Sequence, residues 1–170
     1  MPAIHVCPLM YVDDVVASSG AEHLITLINA GTPVDRPAQI APGNHLYLGF
    51  NDITAPMDGM TPPAAEHIHQ LLAYVRRWDR QAPVVIHCWA GISRSTAGAY
   101  ITLCALYPEL DEFEVAAQLR QTSPSATPNA WLVDLADTVL ERDGRMREAI
   151  AGIGRGQNAF EGDPFMMPLP

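Results

Sequence analysis

The chain has 170 residues, of which 48% are hydrophobic, enough for one domain around one sizeable core. Its net charge is −9, and its ten basic side chains are arginines that form no cationic stripe, so we expect neither nucleic acid nor a membrane surface as a partner. No apolar run approaches the roughly 20 residues that span a bilayer, and the chain begins without the cationic start of a secretory signal, which predicts a cytoplasmic protein.

Strand-like segments dominate the first fifty residues. Residues 3–12 are apolar but contain Pro8, which has no N–H to donate to a central ladder, so they predict an edge strand. A short helix is predicted over 13–18. Apolar runs over 23–29 and 45–50 then predict two buried strands.

Helices dominate the rest of the chain. A loop over 51–60 precedes a threonine and proline pair that is typical of a helix start, and this helix is predicted to run from 61 to about 78. Residues 83–88 predict a further buried strand, and residues 94–107, which are apolar on nearly every side, predict a central buried helix. Capping patterns predict two more helices, over 111–121 and 127–143.

The alternation of strands and helices predicts an α/β fold with a mainly parallel central sheet and helices on both faces. In such a sheet, ligands bind at the carboxyl ends of the strands. We expect residues 1–153 to form a single compact domain. Residues 154–170 have no hydrophobic period and are either frayed or laid across an apolar groove; their composition favours a flexible tail.

The segment that follows residue 87 places a cysteine and an arginine at the two ends of one loop between a strand and a helix. Backbone N–H groups of such a loop, with the helix N-terminus, can surround a tetrahedral anion. The planar fork of Arg94 can hold two phosphate oxygens, and Cys88 lies at the floor of the same positive field, where a thiolate is favoured. We predict that Cys88 attacks a phosphate group held by the loop residues Trp89, Ala90, Gly91, Ile92, Ser93 and Arg94.

This pattern, His-Cys-x5-Arg-Ser, resembles the signature loop of the cysteine-dependent protein tyrosine and dual-specificity phosphatases, in particular compact, bacterial-type members. The resemblance covers roughly residues 45–140 and implies the phosphotyrosine phosphatase-like fold. It also implies a metal-independent enzyme without a cofactor that hydrolyses phosphate monoesters through a phosphocysteine intermediate. The matching positions, besides the hydrophobic strand before them, are His87, Cys88, Gly91, Arg94 and Ser95.

The resemblance implies an aspartate that protonates the leaving oxygen and later activates water. Two candidates lie on the loop before the helix at 61. Asp52 directly follows a strand and is favoured, whereas Asp58 is nearer the helix and could cap it.

Three further side chains have roles implied by the resemblance. Ser95 would stabilise the thiolate of Cys88 as a leaving group. His87 would influence Cys88 through hydrogen bonds behind the loop. Asn129, in a Pro-Asn turn, would hydrogen-bond the loop backbone. The family often has a further arginine just before this turn, where this chain has Gln121, so that contact is in question.

The loop interior has no lysine, which weighs against multiply phosphorylated inositol lipids as substrates. We expect a shallow pocket for phosphotyrosine, with phosphoserine or phosphothreonine as further substrates, on a phosphorylated protein or a small phosphate monoester. Trp89 would line its rim. Two alternatives stay open: a phospho-binding pseudophosphatase that does not turn its ligand over, and a rhodanese-type sulfurtransferase. The sequence indicates no oligomeric state.

Three cysteines are too few and too unevenly spaced for a disulfide framework or a metal site. Cys7 is predicted to be an ordinary core residue, and Cys104 belongs to the apolar surface of the predicted buried helix. A reducing compartment would suit a catalytic thiol. His67 and His69 lie two positions apart on a predicted helix and therefore face different directions, so they predict no shared metal site.

Overall fold

The computed structural model describes residues 1–170. The chain forms five strands and six α-helices, and short 3-10 turns lie at 9–11 and 42–44. The strands are β1 (Ala3–Pro8), β2 (His23–Ile28), β3 (His45–Gly49), β4 (Val84–Cys88) and β5 (Phe165–Pro168). The helices are α1 (Val12–Ser19), α2 (Ala65–Arg77), α3 (Arg94–Leu106), α4 (Glu112–Thr122), α5 (Ala130–Val139) and α6 (Arg145–Ile153).

The strands form one sheet in the order β3-β2-β4-β1-β5. The first four are parallel to one another, and β5 runs antiparallel to β1. Helix α1 packs in a small apolar cluster on one face of the sheet, and the other five helices contribute to a larger core of 31 residues on the opposite face. The predicted α/β fold with a mainly parallel sheet and helices on both faces is confirmed.

The prediction that β1 is an edge strand is wrong. Its register joins it to β4 on one side and to β5 on the other. Pro8 is tolerated because it is the last residue of the strand, where the chain leaves the ladder. This interior position brings the end of β1 beside Cys88, which is the register partner of Pro8.

The C-terminal tail also differs from the expected fraying. Residues 165–168 pair with β1, and Met167 in this strand is completely buried against the main core. The sheet therefore extends beyond residue 153, and the segment 154–164 connects α6 to its last strand. The apolar residues at 165–168 form a strand of four residues, which is too short to show a repeating hydrophobic pattern in the sequence.

Two helix boundaries depend on contacts that no local pattern predicts. Helix α2 begins at Ala65, not at 61, because the N–H of Thr61 donates to Asn51 Oδ1 (2.9 Å) and closes the loop 51–61 instead. Helix α6, absent from the sequence prediction, begins after Gly144. None of the helices has both the length and the apolar content that crossing a bilayer requires.

Helix α3 fixes the site to the sheet. All of its residues from Arg94 to Cys104 are buried, as its apolar circumference predicted. At Gly98 the helix approaches β2 so closely that a Cβ would lie 2.8 Å from Leu27 Cδ1. The N-terminus of α3 is therefore held rigidly at the carboxyl end of β4.

Candidate active site

The predicted phosphate loop connects the end of β4 to the start of α3, and we use this name for residues 88–94. It turns at Gly91, which has φ +68. A Cβ at this position would lie 2.7 Å from the backbone nitrogen of Pro8. Only glycine satisfies both the left-handed conformation and the close approach to β1.

Four carbonyl groups of the loop accept hydrogen bonds from residues outside it. Residues 89–93, by contrast, donate their own N–H groups to no acceptor in the protein. Because a C=O and the following N–H point in opposite directions in one peptide unit, these carbonyl contacts turn the N–H groups toward the inside of the loop. The outer donors are the N–H groups of Leu9 to Trp89 O (3.1 Å), Gly162 to Ala90 O (2.8 Å), Thr127 to Ile92 O (2.9 Å) and Asn129 to Ser93 O (3.2 Å).

Cys88 lies at the floor of the loop and is 3% exposed. Its Sγ is 3.1 Å from the hydroxyl oxygen of Ser95, which is completely buried. A hydroxyl at this distance can donate to a thiolate. The pair predicted from the sequence is therefore in contact.

Arg94 is buried at the other end of the loop, with 4% of its surface exposed. Its Nη1 donates to Asn29 Oδ1 and to the carbonyl of Phe50, both at 2.7 Å. These contacts tie the guanidinium to the ends of β2 and β3. The Nε is buried and has no hydrogen-bond partner in the protein, so a donor remains available inside the site.

The two candidate aspartates have different surroundings. Asp52 reaches the loop, where its Oδ1 accepts from Ser93 Oγ and from Asn129 Nδ2, both at 2.7 Å. Asp58 is exposed and makes no hydrogen bond or ion pair. Of the two, the structure brings only Asp52 to the phosphate loop.

Asn129 connects three parts of the site. Its N–H bonds the loop backbone at Ser93, as expected, but its side chain makes different contacts. The Nδ2 donates to Asp52 and to the carbonyl of Ile53 (3.1 Å), and the Oδ1 accepts from Leu132 N (2.9 Å), which caps α5. Asn129 therefore positions the loop that carries Asp52 as well as the phosphate loop.

His87 is completely buried behind the loop, and its Nδ1 lies 3.2 Å from the carbonyl of Cys88. Its Nε2 is 2.7 Å from Thr26 Oγ1, which is also 2.8 Å from Nε2 of His45. Burial lowers the pKa of His87 to about 4, so the ring is neutral at physiological pH.

Sequence reasoning missed several residues that support the site. Asn29, which directly follows β2, and Thr26 on β2 gave no signal because Arg94 and His87, the site residues that they contact, lie more than sixty positions away in the sequence. Arg120 supports the segment just before the Pro-Asn turn. Its Nη2 donates to the carbonyls of Ala126 (2.9 Å) and Gly154 (2.8 Å), and its position just before Gln121 was the available clue.

Comparison with known proteins agrees with this geometry. Residues 53–129 match the family described as protein-tyrosine phosphatase, a range that includes the phosphate loop and the Pro-Asn turn. None of the curated proteins matches the chain.

Several solved structures share the fold, among them a phosphatase and a phosphatase-like protein. The PTP-2 phosphatase of Cydia pomonella is 19% identical, with a TM-score of 0.62 over 81% of this chain and 89% of that one. Human DUSP28 is 15% identical, with a TM-score of 0.65 over 84% and 96%. A human tyrosine phosphatase-like serine/threonine/tyrosine-interacting protein is 16% identical, with a TM-score of 0.65 over 84% and 94%.

The fold of this chain is that of the tyrosine and dual-specificity phosphatases. The family match over residues 53–129 agrees with the resemblance of the sequence pattern to the cysteine-dependent protein tyrosine and dual-specificity phosphatases.

Proposed function

We propose that the protein is a phosphatase that hydrolyses phosphate monoesters through a phosphocysteine intermediate. The observation that carries this proposal is the buried Nε of Arg94, which has no hydrogen-bond partner in the protein. The Nη1 of the same guanidinium is held by Asn29 and by the carbonyl of Phe50. A buried, unsatisfied guanidinium N–H is costly unless a ligand accepts from it. A phosphate dianion provides such an acceptor, and the unpartnered N–H groups of residues 89–93 provide further donors.

In the first step, Cys88 Sγ attacks phosphorus while the bond between phosphorus and the ester oxygen breaks. The leaving oxygen takes a proton from Asp52, which Ser93 and Asn129 hold at the loop. The loop N–H groups and Arg94 bind the equatorial oxygens, where charge is concentrated in the transition state. The products of this step are a free alcohol and phosphocysteine.

In the second step, water attacks the phosphocysteine and gives its proton to Asp52. The bond between sulfur and phosphorus breaks, and the departing thiolate accepts a hydrogen bond from Ser95. Inorganic phosphate leaves and the starting state is restored. Because Arg94 and the loop N–H groups supply the positive field, we propose that the reaction needs neither a metal ion nor a cofactor.

We propose phosphotyrosine as the principal substrate, with phosphoserine and phosphothreonine as further substrates. The chain contains no lysine, so the loop lacks the added cationic groups that a multiply phosphorylated inositol headgroup would need. Trp89 is 48% exposed on the loop and can contact the aromatic ring of a phosphotyrosine.

The central experiment measures hydrolysis of an aryl phosphate by reduced protein in the presence of a chelator. We expect turnover in the wild type, competitive inhibition by vanadate, and no turnover in Cys88→Ser. Cys104→Ala is the matched control, because Cys104 is buried in α3 away from the loop. It should retain activity.

Absence of turnover in well-folded, reduced wild type would contradict the proposal. Vanadate binding without turnover would then favour a phospho-binding protein, whereas a persulfide formed on Cys88 with thiosulfate would favour a sulfurtransferase.

The assignment of Asp52 has its own test. Asp52→Asn should lower kcat by about 10² or more, because the leaving oxygen loses its proton donor. The loss should be larger for aryl phosphates whose leaving groups are poor, a dependence that a purely structural role would not produce. Asp58→Asn is the matched variant, an aspartate of the same loop without contacts, and should behave as wild type. Equal activity of both variants and wild type would refute the assignment.

A further inference from the structure

The segment 154–164 crosses the outer side of the phosphate loop before β5 begins. It first passes the Pro-Asn turn, where Gln157 N donates to the carbonyl of Pro124 (2.9 Å) and Gly156 N donates to Thr127 Oγ1 (3.1 Å). It then reaches the loop itself, where Gly162 N donates to the carbonyl of Ala90 (2.8 Å). We call this segment the C-terminal brace.

The brace packs closely against the Pro-Asn turn and against the phosphate loop. A Cβ at Gly156 would lie 2.5 Å from the carbonyl carbon of Ser125, and one at Gly162 would lie 3.0 Å from the carbonyl oxygen of Gly91. Gly162 is buried, although Asp163 beside it is exposed. The contact is therefore backbone against backbone, and a side chain at Gly162 would require the brace or the loop to shift slightly.

The contact with Ala90 determines the direction of one anion-binding group. The carbonyl of Ala90 and the N–H of Gly91 belong to the same rigid peptide unit and point in opposite directions. Gly162 is the only residue of the protein that donates to this carbonyl. Glycine at 91 places few steric limits on a flip of this unit, so the restraint has to come from outside the loop.

We propose that the C-terminal brace, through Gly162, is a positioning element of the active site that holds the N–H of Gly91 toward the bound phosphate. This inference rests on the proposed function. The family match ends at residue 129, so it includes neither Gly162 nor the rest of the brace. If the peptide unit flipped, a carbonyl oxygen would face the dianion and repel it.

The test compares two substitutions at Gly162 in the whole 170-residue chain. Gly162→Pro removes the N–H, whereas Gly162→Ala keeps it, and both add a Cβ near Gly91. We expect Gly162→Pro to weaken vanadate inhibition and to lower kcat/KM, each by about fivefold to tenfold relative to Gly162→Ala, the effect of one hydrogen bond. Phe160→Ala is the control, because Phe160 belongs to the brace but is fully exposed, and it should match wild type.

Urea unfolding of each variant separates loss of positioning from loss of folding. If Gly162→Pro does not fold, Met167→Ala replaces it, because that change loosens the buried anchor of the brace and leaves the loop sequence intact. It should weaken vanadate inhibition too.

Equal vanadate affinity in Gly162→Pro and Gly162→Ala would overturn the proposal, as would unchanged affinity in a measurably destabilised Met167→Ala. Wild type that binds no vanadate at all would instead refute the proposed function.

Discussion

His87, Thr26 and His45 form a chain of hydrogen bonds behind Cys88. The carbonyl of Cys88 can only accept, so the proton lies on Nδ1 of His87, and its Nε2 must accept from the hydroxyl of Thr26. The Thr26 oxygen can then accept from Nε2 of His45. One hydroxyl thus orients the ring that contacts the backbone of the proposed nucleophile.

Thr26→Val tests this chain. The change conserves the volume of the side chain but leaves the buried Nε2 of His87 without a donor. We expect kcat/KM to fall several fold and the free energy of unfolding to fall by about 1–3 kcal/mol, the cost of a buried unsatisfied group.

Thr26→Ser retains the hydroxyl and is the control for this prediction. It should restore most of kcat/KM, as measured with the same aryl phosphate. If serine and valine give the same kinetics, Thr26 only fills space and does not orient His87.

Helix α6 depends on a cap that comes from another helix. The carboxylate of Asp137, on α5, accepts from Gly144 N and Met146 N, both at 2.8 Å. It is 5% exposed. The first turn of α6 is therefore satisfied by a side chain seven positions before Gly144.

Asp137→Ala should lower the free energy of unfolding by about 2 kcal/mol, because the first turn of α6 loses its cap in a buried setting. Urea denaturation measures the change. Asp134→Ala is the matched variant on the same helix, since its ion pair with Arg147 is exposed and should contribute less than about 1 kcal/mol. Equal effects of the two substitutions would contradict a capping role.

Buried and half-buried histidines give the whole molecule a pH-dependent stability. Burial is the largest cause of lowered pKa values in His5, His23, His45, His67 and His87. Well above pH 6.5 these groups are neutral in both states, whereas at pH 6.5 a histidine of the unfolded chain is half protonated. Below that pH the unfolded chain binds protons that the folded chain excludes, so the free energy of unfolding falls as the pH falls.

For His87 alone the fall should be about 1.4 kcal/mol per pH unit between pH 6.5 and its folded pKa of about 4. Urea unfolding of wild type and His87→Asn at several pH values between 7.5 and 5 measures this. The variant should depend less steeply on pH, whatever its absolute stability. Parallel curves for the two proteins would show that His87 titrates alike in both states.

The parts of the fold that local patterns determine were predictable from the sequence. The apolar run before Cys88 predicted a buried strand, and the helix after it was predicted to be buried because nearly all of its faces are apolar. Helix α6 was not predictable, because its cap comes from Asp137 on another helix. The start of α2 was also misplaced, since Thr61 bonds to Asn51 across a loop.

In the candidate site, too, local features were predictable from the sequence and contacts between distant segments were not. The residues of the phosphate loop are close in sequence, so their spacing carried the information. Asn29 and Gly162 contact the loop from segments far along the chain, and only the folded arrangement reveals them. The side-chain contact of Asn129 with Asp52 was missed for the same reason.

The pairing of β5 with β1 has a consequence for biosynthesis. Ile4 pairs with Met167, a separation of 167 − 4 = 163 positions, so this contact closes one of the longest loops that the chain can form. While the chain is being made, β1 exposes an unpaired edge of N–H and C=O groups long after its other neighbour β4 has emerged. Such an edge can add a strand from another nascent copy. Slow translation between β4 and β5 would therefore raise the fraction of protein lost to aggregation.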